Sequence, residues 1–174
     1  MPAGSPGVIE PLDGDVDHVR GPADAVVILE YGDYECPFSR RAYRAIEQIE
    51  ARERVRFAFR HFPLTEIHPH ALAASAVAEA AARQGRFWEM HEILFHRQKA
   101  LGDDDLTGYA RELGLDLARF HRDRESEGVL ARIRRDFQSG IESGQVAGTP
   151  TLFIDGALYD GGYDADAISR ALAA

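Results

Sequence analysis

The segment from residue 26 to residue 60 constrains the fold more than any other part of the chain. Val26–Tyr31 is a short apolar run rich in β-branched residues, which predicts a buried strand. From Pro37 to about Ala51, apolar side chains recur on one side and charged ones on the other, as in an amphipathic helix. Val55–Arg60 alternates as a second strand does. The spacing therefore predicts a βαβ unit with parallel strands and a right-handed crossover.

The remainder of the chain predicts a helical middle and a second strand-forming region. Apolar residues recur at helical spacing through much of residues 70–143, and Asp155-Gly156 favours a two-residue hairpin turn between residues 151–154 and 157–159. A final helix is expected from Asp164 to Leu172. We predict an α/β fold with a mixed central β-sheet flanked by helices. Its predicted parts are a loose N-terminal lead-in at 1–21, a core domain formed by 22–69 and 144–174, and an α-helical insertion at 70–143.

Bulk properties exclude several classes of function. A chain of 174 residues with 45% hydrophobic residues can bury one core, and a net charge of −9 argues against nucleic-acid binding. No stretch reaches the roughly 18 apolar residues of a membrane span, so we expect no membrane insertion. The first two dozen residues lack the basic start and apolar run of a secretory signal. These features predict a cytoplasmic protein, a monomer or a weak dimer.

The single cysteine, Cys36, stands between the predicted strand and the predicted helix. With Pro37 in the first helical position, Cys36 is the expected N-cap, where unpaired N–H groups and the helix dipole favour the nucleophilic thiolate. Asp33 and Glu35 act in the opposite direction. Ser39 lies three residues on, and capping geometry would let its hydroxyl donate a hydrogen bond to the sulfur. Cys36 and Ser39 are therefore the predicted catalytic residues.

Position alone also allows a second interpretation of this thiol. A lone cysteine is commonly a small buried hydrophobe, and Ser39 would then be an ordinary residue of the first helical turn. The chain has no second cysteine, so no intramolecular disulfide is available to Cys36 in either interpretation.

Five segments in the correct order resemble the DsbA-like thioredoxin family. They are Glu30–Phe38, Arg60–Leu64, His68–Ala71, Gly85–His91 and Gly148–Thr151, and the resemblance runs from about residue 18 to the C-terminus. It implies a thioredoxin fold and a thiol–disulfide oxidoreductase or isomerase. It also implies that the Thr149–Pro150 bond is cis and that the backbone of Thr149 faces Cys36 and pairs with an extended substrate. Pro37, Phe38, Thr149 and Pro150 are the substrate-binding residues it implies.

The chain departs from the Cys-x-x-Cys site of this family, because Ser39 stands in the second cysteine position. A dithiol enzyme releases its substrate when the second cysteine attacks the mixed disulfide. Without that thiol, Cys36 can still form a mixed disulfide with a protein or peptide, but an external thiol must resolve it. Glutathione, bacillithiol or mycothiol would serve as the co-substrate, and no bound cofactor is expected. The resemblance thus implies a monothiol mechanism.

Three alternatives to this function stay open from the sequence. The chain could be a binding module that has lost redox turnover, or a thiol peroxidase or peroxide sensor in which Cys36 passes through sulfenic acid. Ser39 could also be an engineered replacement that traps the complexes of a dithiol enzyme. The substrate and the direction of electron flow are not defined by the residues.

Five histidines raise the question of a metal. His61, His68, His70, His91 and His96 lack the tight spacing and the cysteine ligands of common zinc sites. The sequence therefore predicts no metal among them.

Overall fold

The computed structural model describes residues 9–174, which contain five strands and seven helices. The strands are β1 (His18–Arg20), β2 (Val26–Gly32), β3 (Val55–His61), β4 (Thr151–Ile154) and β5 (Ala157–Tyr159). The helices are α1 (Pro37–Glu50), α2 (Ala71–Ala82), α3 (Phe87–His96), α4 (Asp103–Glu112), α5 (Leu117–Arg124), α6 (Glu127–Ser143) and α7 (Ala165–Leu172).

The strands form one mixed sheet in the order β1-β3-β2-β4-β5. β2 and β3 are parallel and connected through α1, so the predicted βαβ unit is confirmed. β4 is antiparallel to β2 and β5 is antiparallel to β4, which confirms the predicted hairpin. Asp155 and Gly156 both have positive φ, at 46° and 82°, as the tight turn of this hairpin requires.

Alternation along the strands supplies apolar side chains to both faces of the sheet. On one face, Ile28 and Phe59 pack in the main core cluster with Ile46 of α1 and Ile168 of α7. The other face is covered by α6 and by the segment around Ile9. The sheet is therefore buried on both sides, which is the predicted mixed sheet flanked by helices.

Helices α2 to α6 lie between β3 and β4 in the chain, where the sequence predicted the helical insertion. α2 is almost fully buried, because its alanines let α3, α5 and α6 approach closely. Side chains of α2 and α3 share the main core cluster with the sheet, so the insertion and the sheet enclose one hydrophobic interior. Within residues 9–174, no helix is both long and apolar enough to span a bilayer.

The prediction of a loose lead-in at 1–21 is wrong over its described part. His18–Arg20 pairs with β3 in antiparallel fashion as an edge strand. Asp17 is buried and accepts two hydrogen bonds from the guanidinium of Arg60, at 2.8 and 2.9 Å. Arg60 also donates to the carbonyls of Glu10 and Pro11. A buried arginine of β3 thus holds this segment in place, and residues 1–8 lie outside the described residues.

Candidate active site

Cys36 lies at the N-cap of α1, directly after the loop that leaves β2. Its backbone is extended (φ −77°, ψ 121°), and Pro37 occupies the first helical position, where a missing N–H costs nothing. The side chain of Cys36 makes no capping hydrogen bond, so the first N–H groups of α1 are not occupied by its sulfur. The positive end of the helix dipole is therefore available to a negative charge at this position.

Asp33 organises the loop in front of Cys36. This buried carboxylate accepts hydrogen bonds from the backbone N–H of Glu35 (2.8 Å) and of Leu64 (2.9 Å). Nδ1 of His68 lies 2.8 Å from the same carboxylate. Asp33 thereby connects the active-site loop to the chain that follows β3, and it fixes the position of the Cys36 backbone.

The two acidic residues that precede Cys36 are each paired with a histidine. Asp33 contacts His68, while Glu35 lies 2.9 Å from Nδ1 of His70 and accepts the backbone N–H of His70. When protonated, these imidazoles offset the negative charge that opposes thiolate formation nearby. The sequence placed the two acids beside the sulfur but gave no sign of their histidine partners, which lie 35 residues further along the chain.

The sulfur of Cys36 faces the loop before β4. Its thiol donates a hydrogen bond to the backbone carbonyl of Thr149, with 3.4 Å between Sγ and O. The Thr149–Pro150 peptide bond is cis, and Pro150 is buried. The structure thus brings Cys36 next to Thr149 and Pro150, although more than one hundred residues separate the cysteine from this pair in the chain.

Cys36 is largely enclosed, with 4% of its surface exposed, whereas its two successors face solvent. Pro37 is exposed, and Phe38 exposes 59% of its surface although it is a large apolar side chain. A partner that reaches Cys36 would therefore meet an apolar side chain directly beside the sulfur.

The position of Ser39 differs from the expected one. Its side chain is fully buried, and Oγ accepts a hydrogen bond from the backbone N–H of Asp33 at 3.2 Å. The predicted donation from Ser39 to the sulfur of Cys36 is therefore wrong, since within residues 9–174 the hydrogen bond of Ser39 Oγ is with Asp33 and none joins it to the sulfur. The reason is that Ser39 points back under the loop, where the N–H of Asp33 needs an acceptor.

Gln98 is a site residue that the sequence did not single out. Its side-chain amide donates to the backbone carbonyls of Tyr34 and Cys36, both at 2.8 Å. Gln98 follows α3 in the helical insertion, so the insertion helps to hold the active-site loop. No local motif marks this residue, because the contact spans more than sixty positions of the chain.

Glu30 is a second residue that was not identified as part of the site. It is fully buried in β2, and within residues 9–174 neither carboxylate oxygen has a hydrogen-bond partner. Burial raises the pKa of Glu30 to about 8. The available signal was an acidic residue in an otherwise apolar strand, two positions from the end of β2. Buried carboxyl groups with raised pKa values are common in functional sites.

Tyr163 connects Glu30, the cysteine and the cis-proline loop. Its hydroxyl donates to the carbonyl of Pro150 at 3.1 Å. Burial raises the pKa of Tyr163, and the negative charges of Cys36 and Glu30 raise it further. The tyrosine therefore lies within electrostatic range of both groups.

Comparisons with known proteins agree with this architecture. A family model described as thioredoxin matches residues 14–174. Two curated relatives are Na(+)/H(+) antiporters named NhaA 1 from Salinispora arenicola and NhaA from Herminiimonas arsenicoxydans, with 43% and 42% identity over 173 residues. These matches cover 97% of this chain but 26% and 27% of the relatives. The chain thus spans about a quarter of their length.

Solved structures give the same result. A thioredoxin-like oxidoreductase from Silicibacter pomeroyi is 29% identical with a TM-score of 0.78, and the match covers 93% of this chain and 95% of that one. BdbD from Bacillus subtilis has a TM-score of 0.79 at 19% identity, with 97% of each chain covered. The thiol-disulfide exchange protein α-DsbA2 from Wolbachia pipientis has a TM-score of 0.78 at 19% identity, covering 89% of this chain and 84% of that one.

The sheet, the helical insertion and the cysteine at a helix N-terminus define a protein with a thioredoxin-like fold. The chain belongs to the thioredoxin family, and its structural relatives are DsbA-like thiol–disulfide oxidoreductases.

Proposed function

We propose that this chain is a thiol–disulfide oxidoreductase or isomerase that works by a monothiol mechanism with Cys36 as its nucleophile. One observation carries the proposal: the only cysteine of the chain lies at the start of α1, 3.4 Å from the carbonyl of Thr149 beside a cis-proline. This arrangement offers a sulfur nucleophile at a helix N-terminus, next to a backbone that can bind a substrate.

The chemistry proceeds by two exchanges, which conserve thiols and disulfides. The thiolate of Cys36 attacks one sulfur of a substrate disulfide, a new Cys36–substrate disulfide forms, and the other sulfur leaves as a thiolate that takes a proton from water. A second thiol from outside the chain, as its thiolate, then attacks the substrate sulfur of the mixed disulfide. A disulfide forms between the external thiol and the substrate, and Cys36 leaves as a thiolate. The external reductant or partner is a low-molecular-weight thiol such as glutathione, bacillithiol or mycothiol.

The substrate side of the mechanism relies on exposed groups around the sulfur. An extended segment of a protein or peptide pairs with the backbone of Thr149 in the manner of strand addition. Phe38, which is 59% exposed, and the adjacent Pro37 offer it an apolar contact. Only 4% of the surface of Cys36 is exposed. The substrate must therefore bring one sulfur of its disulfide close to Sγ of Cys36.

The curated relatives are named as Na(+)/H(+) antiporters, and we do not propose antiport for this chain. The match covers about a quarter of each relative. In this chain, Cys36 and the cis-proline loop are features suited to thiol chemistry.

The first test is the reactivity and access of Cys36. We expect alkylation by iodoacetamide at pH 6 at least about tenfold faster in the folded protein than in the same protein unfolded in urea. Oxidised glutathione should add one glutathione per chain by intact mass, and Cys36→Ser should add none. Equal alkylation rates in the folded and unfolded protein would contradict the proposal.

The second test is turnover with an external thiol. The protein should catalyse the glutathione-dependent reduction of a glutathionylated peptide, and the Cys36→Ser variant should not. Consumption of hydrogen peroxide that depends on Cys36, without disulfide exchange, would instead identify a thiol peroxidase. Peptide binding that is unchanged in Cys36→Ala, again without exchange, would identify a binding module.

A further inference from the structure

Three side chains from separate elements converge between the sheet and the helical insertion. His18 lies on β1, His61 ends β3, and Glu79 lies in α2. Among residues 9–174, they are the one group of three or more His, Cys, Asp or Glu side chains whose ligand atoms all lie within 4.8 Å of one another. Two imidazoles and one carboxylate form the ligand set of many transition-metal sites.

A single oxygen lies at the centre of this cluster. Oε1 of Glu79 is 2.6 Å from Nε2 of His18 and 2.7 Å from Nε2 of His61. The side chain of His61 is fully buried, whereas His18 exposes 17% of its side chain and Glu79 exposes 8%. The cluster is thus enclosed on the His61 side and open to solvent at its His18 edge, which gives a small ion a route of entry.

The cluster contains a carboxylate that is almost fully enclosed, because Glu79 exposes 8% of its side chain. The neighbouring carboxylate, Asp136, accepts the backbone N–H of His61 and is paired with Arg132. Within residues 9–174, Glu79 has no guanidinium partner, and its hydrogen-bond partners are the two imidazoles. A cation between these side chains would be a direct counter-charge for the carboxylate.

We propose that His18, His61 and Glu79 bind one divalent cation of the zinc class. Zinc accepts imidazole nitrogen and carboxylate oxygen and tolerates three protein ligands with a fourth position left to water. Calcium and magnesium are disfavoured because they take oxygen ligands. This site is independent of the thiol chemistry of Cys36.

The geometric change that binding requires is small. Bonds of about 2.1 Å to a tetrahedral zinc ion separate two ligand atoms by about 3.4 Å. Each nitrogen–oxygen distance in the cluster must therefore open by less than 1 Å. His18 can open its own distance to Glu79, because it lies on a three-residue edge strand and is partly exposed. The His61–Glu79 distance must open by a shift of the Glu79 carboxylate away from His61.

Metal ligation would fix the tautomer of His61. Nε2 binds a metal through its lone pair, so a neutral imidazole must then carry its proton on Nδ1. Nδ1 of His61 is buried and has no hydrogen-bond partner within residues 9–174. The bonds to the metal must therefore outweigh the cost of a buried N–H without an acceptor.

The bound ion would connect the N-terminal edge strand to the centre of the fold. β1 is three residues long, and a metal would add a bond from it to both β3 and α2. An ion that binds only the folded state raises its stability in proportion to the logarithm of the free metal concentration. The sequence gave no hint of this site, because its ligands at 18, 61 and 79 have no motif spacing.

The test uses the full chain in a Cys36→Ser background, which removes the one thiolate that could also bind zinc. After treatment with a chelator, the protein should bind one equivalent of zinc by calorimetry. It should also show the visible absorption of tetrahedral cobalt when cobalt is the probe, and its Tm should rise with added zinc. His18→Ala should weaken zinc binding at least about tenfold and abolish the rise in Tm.

Two further variants keep the test decisive. Glu79→Gln retains a hydrogen-bond acceptor of the same shape but loses the charged ligand, so it should fold and fail to bind zinc. His121→Ala removes an exposed histidine outside the cluster and should bind zinc normally. Absence of zinc binding at micromolar concentrations in the Cys36→Ser background would overturn the proposal. Binding that is unchanged by His18→Ala and Glu79→Gln would overturn it equally.

Discussion

The hydroxyl of Ser39 accepts a hydrogen bond from the backbone N–H of Asp33, and both residues are fully buried. Ser39 therefore stabilises the loop that precedes Cys36 from below. The sulfur of Cys36 has its hydrogen bond to Thr149 instead. In the proposed mechanism, residue 39 would act on Cys36 through the shape of the loop and through the absence of a second thiol, which are two separable effects.

Replacement of Ser39 by cysteine should convert the site to a dithiol. Cα atoms three residues apart in a helix are separated by about 5 Å, within the range that a disulfide spans. We expect oxidised glutathione to leave Ser39→Cys with an internal disulfide and no adduct, while the parent protein keeps one glutathione. Intact mass distinguishes these products, because the disulfide lowers the mass by two hydrogens.

Ser39→Ala is the matched control for this experiment. It removes the hydrogen bond to Asp33 without adding a thiol, so it should keep the glutathione adduct and lose about 1 kcal/mol of stability. A glutathione adduct that persists on Ser39→Cys would show that residue 39 does not reach the sulfur.

Tyr163→Phe should separate substrate binding from thiol reactivity. Loss of the hydrogen bond to the Pro150 carbonyl loosens the loop that holds the substrate, so turnover of a peptide disulfide should fall about fivefold, the equivalent of one hydrogen bond. The alkylation rate of Cys36 by iodoacetamide should change less than about twofold. Tyr159→Phe is the control, because its hydroxyl donates to Gly162 and not to Pro150. Equal losses of turnover in both variants would contradict a specific role for Tyr163.

Elements with local signals were predictable from the sequence. α1 begins at Pro37 as the proline and the amphipathic pattern predict, and the hairpin turns at Asp155-Gly156 as its turn chemistry predicts. α7 begins after Asp164, whose side chain accepts the N–H of Ala167. In each case the residues that determine the structure are within a few positions of one another.

The remaining features depend on contacts between distant residues. Asp17 appeared to be part of a polar lead-in, because its partner Arg60 lies 43 positions away. The donor to Ser39, which is the backbone N–H of Asp33, and the two partners of Glu79 likewise come from other elements. A pattern in one segment shows which face is apolar, but it does not show which polar groups meet inside the fold.

The buried pair of Asp17 and Arg60 gives a prediction about the N-terminal segment. Both side chains are almost fully buried, so Asp17→Asn leaves the guanidinium without its counter-charge and should cost about 3 kcal/mol. Urea unfolding at pH 7 measures this loss. Burial opposes ionisation of Asp17, but hydrogen bonds from Arg60 outweigh it and lower its pKa. The stabilisation is therefore complete above the unfolded pKa of about 4 and is lost as pH falls through the lower folded value.

Asp24→Asn is the control for Asp17, because its ion pair with Arg54 is largely exposed. Exposed pairs contribute about 0.2–1 kcal/mol, so this variant should unfold close to the parent. A similar small loss in Asp17→Asn would mean that the buried pair of Asp17 and Arg60 stabilises the fold no more than an exposed pair does.

Glu30 gives a prediction of opposite sign with pH. Burial raises its pKa from the ordinary 4.5 to about 8, so between these values the folded state retains a proton that the unfolded state has released. The stability contributed by the protonated Glu30 is fully present below pH 4.5 and is lost as pH rises to about 8. The free energy of unfolding falls by at most about 1.4 kcal/mol per pH unit in this range. Glu30→Gln stays neutral. Relative to the parent, its free energy of unfolding should therefore rise by up to about 4 kcal/mol between pH 5 and pH 8.

Urea unfolding of both proteins at pH 5, 6, 7 and 8 measures this difference, and effects shared by other titrating groups cancel in it. Glu127→Gln is the control, because Glu127 is exposed and its replacement should give a difference that is flat with pH. If the Glu30→Gln difference were also flat, Glu30 would ionise in the core without a stability cost.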